Sequence, residues 1–241
     1  MRIGIIQSNY LPWRGYFDFI ASCDVFIFHD DIQYTKQDWR NRNLLKMPDG
    51  RLQWITVPVK QHVFDTSVDR IEIDNSNKAE WIWRHRQMLL SSLEKAPYWE
   101  DAFSLFSHLH MDPSMHRWSY LSNMNQYLIA RICEYLGIST KLVDARTLAR
   151  TGRKTEKILA LCHAVGAKRG DIYLSGPAAR QYLDDGLLAR HGLGVEWKTY
   201  DYPPYPQQWG AFEGGVSILD LIANVGKRAR QFMDQPMEQA A

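Results

Sequence analysis

The sequence lacks long apolar runs, paired cysteines and a strong net charge, and each absence excludes a class of protein. No apolar run approaches the ~20 residues that span a bilayer, and the first residues do not read as a signal peptide. The three cysteines (Cys23, Cys133 and Cys162) are odd in number and widely spaced, unlike a disulfide framework or a cysteine zinc site. A net charge of +2 provides no basic footprint for a nucleic acid. We therefore expect a cytoplasmic protein with reduced thiols, no membrane span and no nucleic-acid partner.

Recognised cofactor and metal motifs are also missing. The glycines near the N-terminus fit neither a P-loop nor a dinucleotide fingerprint, so no cofactor is predicted. His108, His110, Asp112 and His116 have a spacing that can hold a metal ion, but solvated or capping histidines are the interpretation we favour. No metal ligand is therefore predicted, and a metal-dependent enzyme stays open as an alternative.

The pattern of apolar segments predicts an α/β fold. A strand–helix–strand opening indicates a parallel pair of strands joined by a crossover helix. We predict one domain over residues 1–241, with a mainly parallel, Rossmann-like sheet flanked by helices and a mainly helical segment at about 78–136. The predicted strands are 2–6, 25–28, 52–59, 70–73, 141–143, 172–174 and 195–202, and the predicted helices are 16–21, 78–93, 115–136, 155–165, 178–184 and 217–224.

The first polar cluster follows the first predicted strand. A strand that runs into a glycine-containing turn and a helix start can present free backbone N–H groups to an anion. Tight packing of aromatic side chains under the turn is an equally good interpretation. The candidate binding residues here are Gln7, Asn9, Tyr10, Trp13 and Tyr16.

The second polar cluster follows the strand at 25–28. Asp30 and Asp31 are candidate catalytic carboxylates, since such a pair can accept a proton. For one such motif alone a solvated loop is the interpretation we favour, whereas two polar clusters on one sheet edge favour a function. Arginine side chains offer bidentate contacts to phosphate. Because the carboxyl ends of parallel strands share one edge of a sheet, we expect Gln7 to meet Asp30 or Asp31 there. The candidate binding residues of this cluster are Gln33, Tyr34, Arg40, Asn41 and Arg42.

Two shorter segments complete the candidate set. Ser175 and Gly176 lie between a predicted strand and helix, where helix capping is the role that we favour for the serine because no activating histidine is near in sequence. Tyr205 and Gln207 belong to a rigid aromatic loop of a kind that binds sugars or bases, or simply fixes a corner.

Taken together, these motifs resemble the WbqC-like family over nearly the whole chain. The resemblance rests on 6–13 and 15–17, on Asp30-Asp31-Ile32-Gln33-Tyr34, on Trp39-Arg40-Asn41-Arg42-Asn43, and on 173–176, 205–207 and 217–221 with Asn224 and Gly226. The family opening usually has proline where this chain has Ser8, a change that we expect to alter the turn without removing the pocket. The resemblance implies a protein of bacterial surface-polysaccharide gene clusters, such as those for O-antigen and lipopolysaccharide, often labelled a glycine transferase.

The resulting hypothesis is an acyl or aminoacyl transferase, such as a glycyl transferase, that modifies a nucleotide-linked amino sugar. Asp30 or Asp31 would accept the proton, while Arg40 and Arg42 would hold the diphosphate. The acyl or aminoacyl donor is not identified by any motif. A non-catalytic protein that binds a nucleotide sugar is the alternative.

Overall fold

The structure is a computed structural model that describes residues 1–111, 118–149 and 151–233, without the side chains of residues 78, 79 and 108–111. Its strands are β1 (Arg2–Ile6), β2 (Val25–Phe28), β3 (Arg42–Lys46), β4 (Leu52–Thr56), β5 (Lys141–Asp144), β6 (Ile172–Ser175) and β7 (Gly194–Trp197). Five of them form a parallel sheet in the order β5-β2-β1-β6-β7, and β3 and β4 form an antiparallel pair. The predicted α/β class and mainly parallel sheet are confirmed.

Helices surround this sheet. They are α1 (Arg14–Ala21), α2 (Lys78–Leu93), α3 (Trp99–Met111), α4 (Leu121–Tyr135), α5 (Thr155–Ala164), α6 (Asp185–Arg190) and α7 (Ile218–Val225), with short 3-10 turns at Val68–Arg70, Ala145–Thr147, Pro177–Gln181 and Gly226–Phe232. None of the described helices has both the length and the apolar character needed to cross a bilayer. The residues between β2 and β5 form a large insertion that contains β3, β4, α2, α3 and α4.

The two faces of the sheet bury different apolar side chains. Ile3 and Ile5 of β1 pack with α5 and α6 in one core cluster. Phe26 and Phe28 of β2, which alternate with Ile27, belong to a larger cluster formed with α1, α4 and α7. Since a parallel sheet is stable only when both faces are covered, this alternation explains why each strand is apolar throughout.

Gly4 allows α1 to lie close to the sheet. A Cβ atom added at this glycine would lie 2.4 Å from Cε1 of Phe19 and 2.7 Å from Sγ of Cys23. A larger residue would therefore push the helix outward. The close approach of α1 fixes the polar turn that connects it to β1.

Several predicted elements differ in type. The segment 70–73 is not a strand, because it follows a 3-10 turn and Ile73 forms only an isolated bridge to Val59. Ile71 and Ile73 are buried from a loop, and their alternation in the sequence resembles that of a strand with one buried face. The segment 178–184 is likewise a 3-10 turn beginning at Pro177 rather than an α-helix.

Other predicted elements differ in extent. β4 ends at Thr56, two residues before Pro58, and β7 ends at Trp197, where Lys198 turns its side chain towards α1. The predicted helix at 115–136 begins at Leu121 in the described residues, and 112–117 lie outside them. β3, α3 and α6 were not predicted as separate elements.

Candidate functional site

The two N-terminal polar clusters meet at the carboxyl edge of the sheet. β1 and β2 are parallel neighbours, and Ile6 lies opposite Phe28. The backbone N–H of Ser8 donates a hydrogen bond of 2.7 Å to Oδ1 of Asp30. The segments that begin at Gln7 and Asp30 are thus in direct contact, as the parallel arrangement predicted.

The Asp30 carboxylate is fully buried and accepts hydrogen bonds from three donors. Besides Ser8, Oδ2 accepts from Oγ of Ser122 at 2.5 Å and from Nε2 of Gln126 at 2.8 Å. Ser122 and Gln126 are one turn apart on α4, so this carboxylate joins α4 to the turn after β1. Saturation by three donors favours a positioning role for Asp30 over the predicted role of base. A proline in place of Ser8 would have no N–H to donate.

Asp31 points to different partners. Its Oδ2 lies 2.7 Å from Nζ of Lys157, on the first turn of α5, and its Oδ1 lies 3.6 Å from Nε2 of His29. All three side chains are largely buried but keep some solvent contact. The neighbouring carboxylates therefore face different surroundings, with Asp31 at a bend of the chain after β2.

His29 is a neutral imidazole at neutral pH. Burial, and next the positive charge of Lys157, lower its pKa to about 4, although Asp31 and Asp30 act in the opposite direction. Its Nε2 has no hydrogen-bond partner among the described residues. This histidine was not among the predicted site residues, although it stands directly after β2. Nε2 is buried and faces the Asp31 carboxylate, so its capacity to accept a hydrogen bond is unused among the described residues.

A second group of charged side chains, Asp144 and Arg146, lies at the carboxyl end of β5. Asp144 ends β5 and accepts from Nε of Arg146 at 2.8 Å, while Nη2 of Arg146 reaches Oδ1 of Asn123 at 3.0 Å. The hydrogen bond to Asp144 raises the pKa of Arg146, so the guanidinium is charged. Polar side chains thus line the ends of β1, β2 and β5 together.

The predicted arginine pair is divided between two positions. Arg40 donates to Oδ1 of Asn9 and forms an ion pair of 3.3 Å with Asp38. Arg42 instead stacks on Trp54, with its Cζ 4.0 Å from the ring centre, and donates to the backbone of Gln37. Only Arg40 is joined to the first polar cluster.

The aromatic residues of the first cluster have mainly packing partners. Tyr10 is fully buried and its hydroxyl lies 2.9 Å from Nδ1 of His85, while the hydroxyl of Tyr16 donates to the backbone oxygen of Gln7 at 2.9 Å. Trp13 is half-buried against Tyr200 at 5.4 Å between ring centres. Tyr10 and Tyr16 therefore support the turn, and Trp13 retains surface for a ligand.

The remaining residues of the second cluster border a surface cleft of about 420 Å³. Tyr34 and Asn41 lie on one side of this cleft and His62 lies on another. Gln33 is exposed beside it and donates to the backbone of Phe64. This cleft is formed by segments of the insertion rather than by the sheet.

Ser175 and Gly176 end β6. Ser175 is buried, and its hydroxyl lies 3.4 Å from that of Tyr173, a weak contact. The nearest group to an added Cβ at Gly176 is the hydroxyl of Tyr200, at 3.8 Å. The space above Gly176 is therefore open, and the serine is not paired with an activating histidine among the described residues.

Tyr205 and Gln207 belong to a separate buried network. The hydroxyl of Tyr205 and Nε2 of Gln207 both donate to Oδ1 of Asp220 at 2.8 Å, and Nζ of Lys46 donates to Oε1 of Gln207 at 2.9 Å. Burial raises the pKa of Asp220, against the effect of these donors. Tyr205 and Gln207 both direct their polar groups to the buried carboxylate of Asp220, so the arrangement favours a role in stability.

A buried ion pair lies beneath the aromatic cluster of Trp13. Nζ of Lys198, just after β7, lies 2.7 Å from Oδ2 of Asp18 on α1. The hydroxyl of Tyr202 donates to the same oxygen at 2.5 Å. These contacts connect the end of β7 to α1 and hold the turn between β1 and α1 in place.

The thiols and the predicted histidine motif give no further catalytic group. Cys23, Cys133 and Cys162 are buried and unpaired, and burial raises the pKa of each to about 12, so none is a thiolate at neutral pH. The side chains of His108, His110, Asp112 and His116 lie outside the described residues. No metal-ligand cluster is found among the side chains that the structure describes.

Comparison with known proteins agrees with the resemblance seen in the sequence. The model of the WbqC-like protein family matches residues 7–232. The uncharacterized protein Rv1507c of Mycobacterium tuberculosis (strain ATCC 25618 / H37Rv) is 41% identical over 234 residues, which are 96% of this chain and 97% of that protein. No solved structure matches. The chain therefore belongs to the WbqC-like family.

Proposed function

We propose that the protein is a transferase that places an acyl or aminoacyl group, such as glycyl, on the amino group of a nucleotide-linked sugar. The setting that we propose is the biosynthesis of bacterial surface polysaccharides. The observation that carries this proposal is the neutral imidazole of His29, 3.6 Å from Asp31, at the carboxyl edge of a parallel sheet. Ligands of such sheets collect at this edge.

The chemistry requires one group that takes and returns a proton. When the sugar amine attacks the donor carbonyl, a C–N bond forms and the nitrogen, now positively charged, passes a proton to Nε2 of His29. Asp31 stabilises the resulting imidazolium through its negative charge. An imidazolium whose pKa is low is a strong acid, so it gives the proton to the leaving group as the bond from that group to the carbonyl carbon breaks.

Lys157 and Asp30 support this proton transfer without taking part in it. The ion pair to Lys157 fixes the Asp31 carboxylate and keeps His29 neutral before reaction. Asp30 holds the turn after β1 against α4, which places Gln7 and Asn9 beside the same edge. Their side-chain amides can orient sugar hydroxyls or the oxyanion.

We expect His29→Gln and Asp31→Asn each to lower turnover at least tenfold, since the first removes the base and the second removes the charge beside it. The assay is acylation of a UDP- or dTDP-linked amino sugar followed by mass spectrometry. Asp185→Asn, an exposed carboxylate on α6, is the matched control and should retain full turnover. If both site variants also retain it, the transfer proposal fails and the alternative, a non-catalytic nucleotide-sugar-binding protein, is favoured.

Arg40→Lys should weaken nucleotide-sugar binding about tenfold, because lysine keeps the charge but loses the planar fork that holds Asn9 and reaches a phosphate. Isothermal titration calorimetry with UDP- and dTDP-sugars measures the change. Arg84→Lys, on the exposed side of α2, is the control for the same substitution. Equal affinity in Arg40→Lys and in the control would show that Arg40 does not contact the ligand.

A further inference from the structure

The cleft at the side of the insertion has the features of a second binding site. It lies between the segment that contains Tyr34 and Asn41 and the segment that contains Lys60 and His62, and its volume is about 420 Å³. That volume is within the range of small-molecule sites. The cleft is distinct from the proton-transfer group at His29, which belongs to the end of β2.

A buried acceptor lies unused at this cleft. Asn41 is 7% exposed, and its Nδ2 donates to the backbone oxygen of Val57 at 2.9 Å. Because that carbonyl can only accept, the amide nitrogen must face it, and Oδ1 is left without a hydrogen-bond partner among the described residues. A buried acceptor that lacks a donor is costly, so this oxygen favours a ligand that brings an N–H or O–H group.

Two lysine side chains provide positive charge at the cleft. Lys36 and Lys60 line the cleft and are both exposed. Lys60 forms an ion pair of 2.6 Å with Glu72, and such an exposed pair costs little to open. Two ammonium groups beside a buried acceptor are suited to a ligand that carries phosphate at one end and a hydrogen-bond donor at the other.

The backbone at the cleft is strained in a manner typical of binding sites. Gln37 has a φ of +56°, a conformation that non-glycine residues rarely adopt. The same residue receives a hydrogen bond from Arg42 on its backbone oxygen. Such strain persists only where surrounding contacts hold it, and it concentrates at ligand sites.

We propose that this cleft binds the phosphate-bearing part of a substrate, with Lys36 and Lys60 meeting the phosphate and Asn41 accepting a hydrogen bond from the ligand. Asn41 lines the cleft, and its buried Oδ1 is the acceptor that a ligand entering the cleft would satisfy. The identity of the ligand rests on the proposed transfer reaction. Phosphate occurs in the nucleotide-linked sugar and, where the donor is an acyl thioester of coenzyme A, in the donor as well.

The test is calorimetry of the whole protein with UDP, coenzyme A and inorganic pyrophosphate at one fixed ionic strength. We expect Lys36→Glu and Lys60→Glu each to weaken binding about tenfold or more. Lys141→Glu makes the same charge change at the amino end of β5, the opposite edge of the sheet, and should bind like the unaltered protein. Asn41→Leu should also weaken binding, and the lysine variants decide the matter if it fails to fold.

The outcomes separate the sources and the two proposals. Tighter binding of UDP would show that the cleft holds the phosphate of the sugar nucleotide. Tighter binding of coenzyme A would show that it holds the phosphate of the acyl donor. No binding of any probe, or binding that both lysine variants leave unchanged, overturns this proposal. Loss of turnover in Asp31→Asn together with such unchanged binding would keep the transferase and remove only this site.

Discussion

Asp30→Asn is expected to lower the free energy of unfolding by about 3 kcal/mol. The carboxylate is fully buried and accepts from Ser8, Ser122 and Gln126. An asparagine of the same shape would turn an NH₂ group towards at least one of these donors. Two donors then face each other at a fully buried position, and the connection of α4 to the turn after β1 is weakened. Urea denaturation followed by circular dichroism measures the change.

Two further variants make this result specific to the buried site. Asp185→Asn replaces an exposed carboxylate and should change stability by less than about 0.5 kcal/mol. Gln126→Ala removes one of the three donors and should have a smaller effect than Asp30→Asn. If Asp30→Asn keeps its stability but loses turnover, Asp30 returns to the role of base that its position in the sequence suggested.

His29 should make the stability of the protein depend on pH between about 6.5 and 4. The pKa of His29 is about 4 in the folded protein and 6.5 in the unfolded chain. As the pH falls through this range, the unfolded chain takes up a proton and the folded protein does not, so the folded state loses stability. The full shift corresponds to a loss on the order of 3 kcal/mol, completed as the pH reaches the folded pKa.

Comparison of the unaltered protein with His29→Gln isolates this contribution. Between pH 7.5 and pH 4.5, His29→Gln should lose about 2 kcal/mol less of its free energy of unfolding, as measured by urea denaturation at each pH. Lys157→Met should show part of the same effect, because removing the positive charge raises the pKa of His29. His191→Gln, at an exposed histidine, should follow the unaltered protein. Equal losses in His29→Gln and the unaltered protein would mean that His29 has an ordinary pKa.

The elements that were predicted most accurately are those whose bounds are set by residues near in sequence. The bounds of β1, β2 and α2 agree with the prediction because each is an apolar pattern that stops abruptly at polar residues. The convergence of the first two polar clusters followed from strand geometry alone. His29 could also have been predicted, since it follows β2 directly. The prediction chose the adjacent carboxylates Asp30 and Asp31 instead.

The elements that were missed depend on partners distant in the sequence. β3 contains Arg42, Asn43 and Lys46, which indicate a polar loop when read alone. In the structure Asn43 donates to the backbone oxygens of Tyr10 and Leu11, and Lys46 is buried against the loop that contains Gln207. The partnership of Lys157 with Asp31 is of the same kind, because it joins the second strand to a helix that follows the insertion.

The contacts of the last described helix have a consequence for how the protein is made on the ribosome. The N–H of Ile218 donates to the oxygen of Pro12, and that of Ser217 donates to the oxygen of Leu44. Among the residues that the structure describes, the ammonium of Lys46 has its acceptors, Gln207 and Ala211, in the segment before α7. The ribosome makes residues 12–46 long before residues 207–218, so during synthesis the polar groups of the early segment are hydrogen-bonded to water. The hairpin of β3 and β4 can therefore complete its buried polar contacts only after the segment before α7 has left the ribosome.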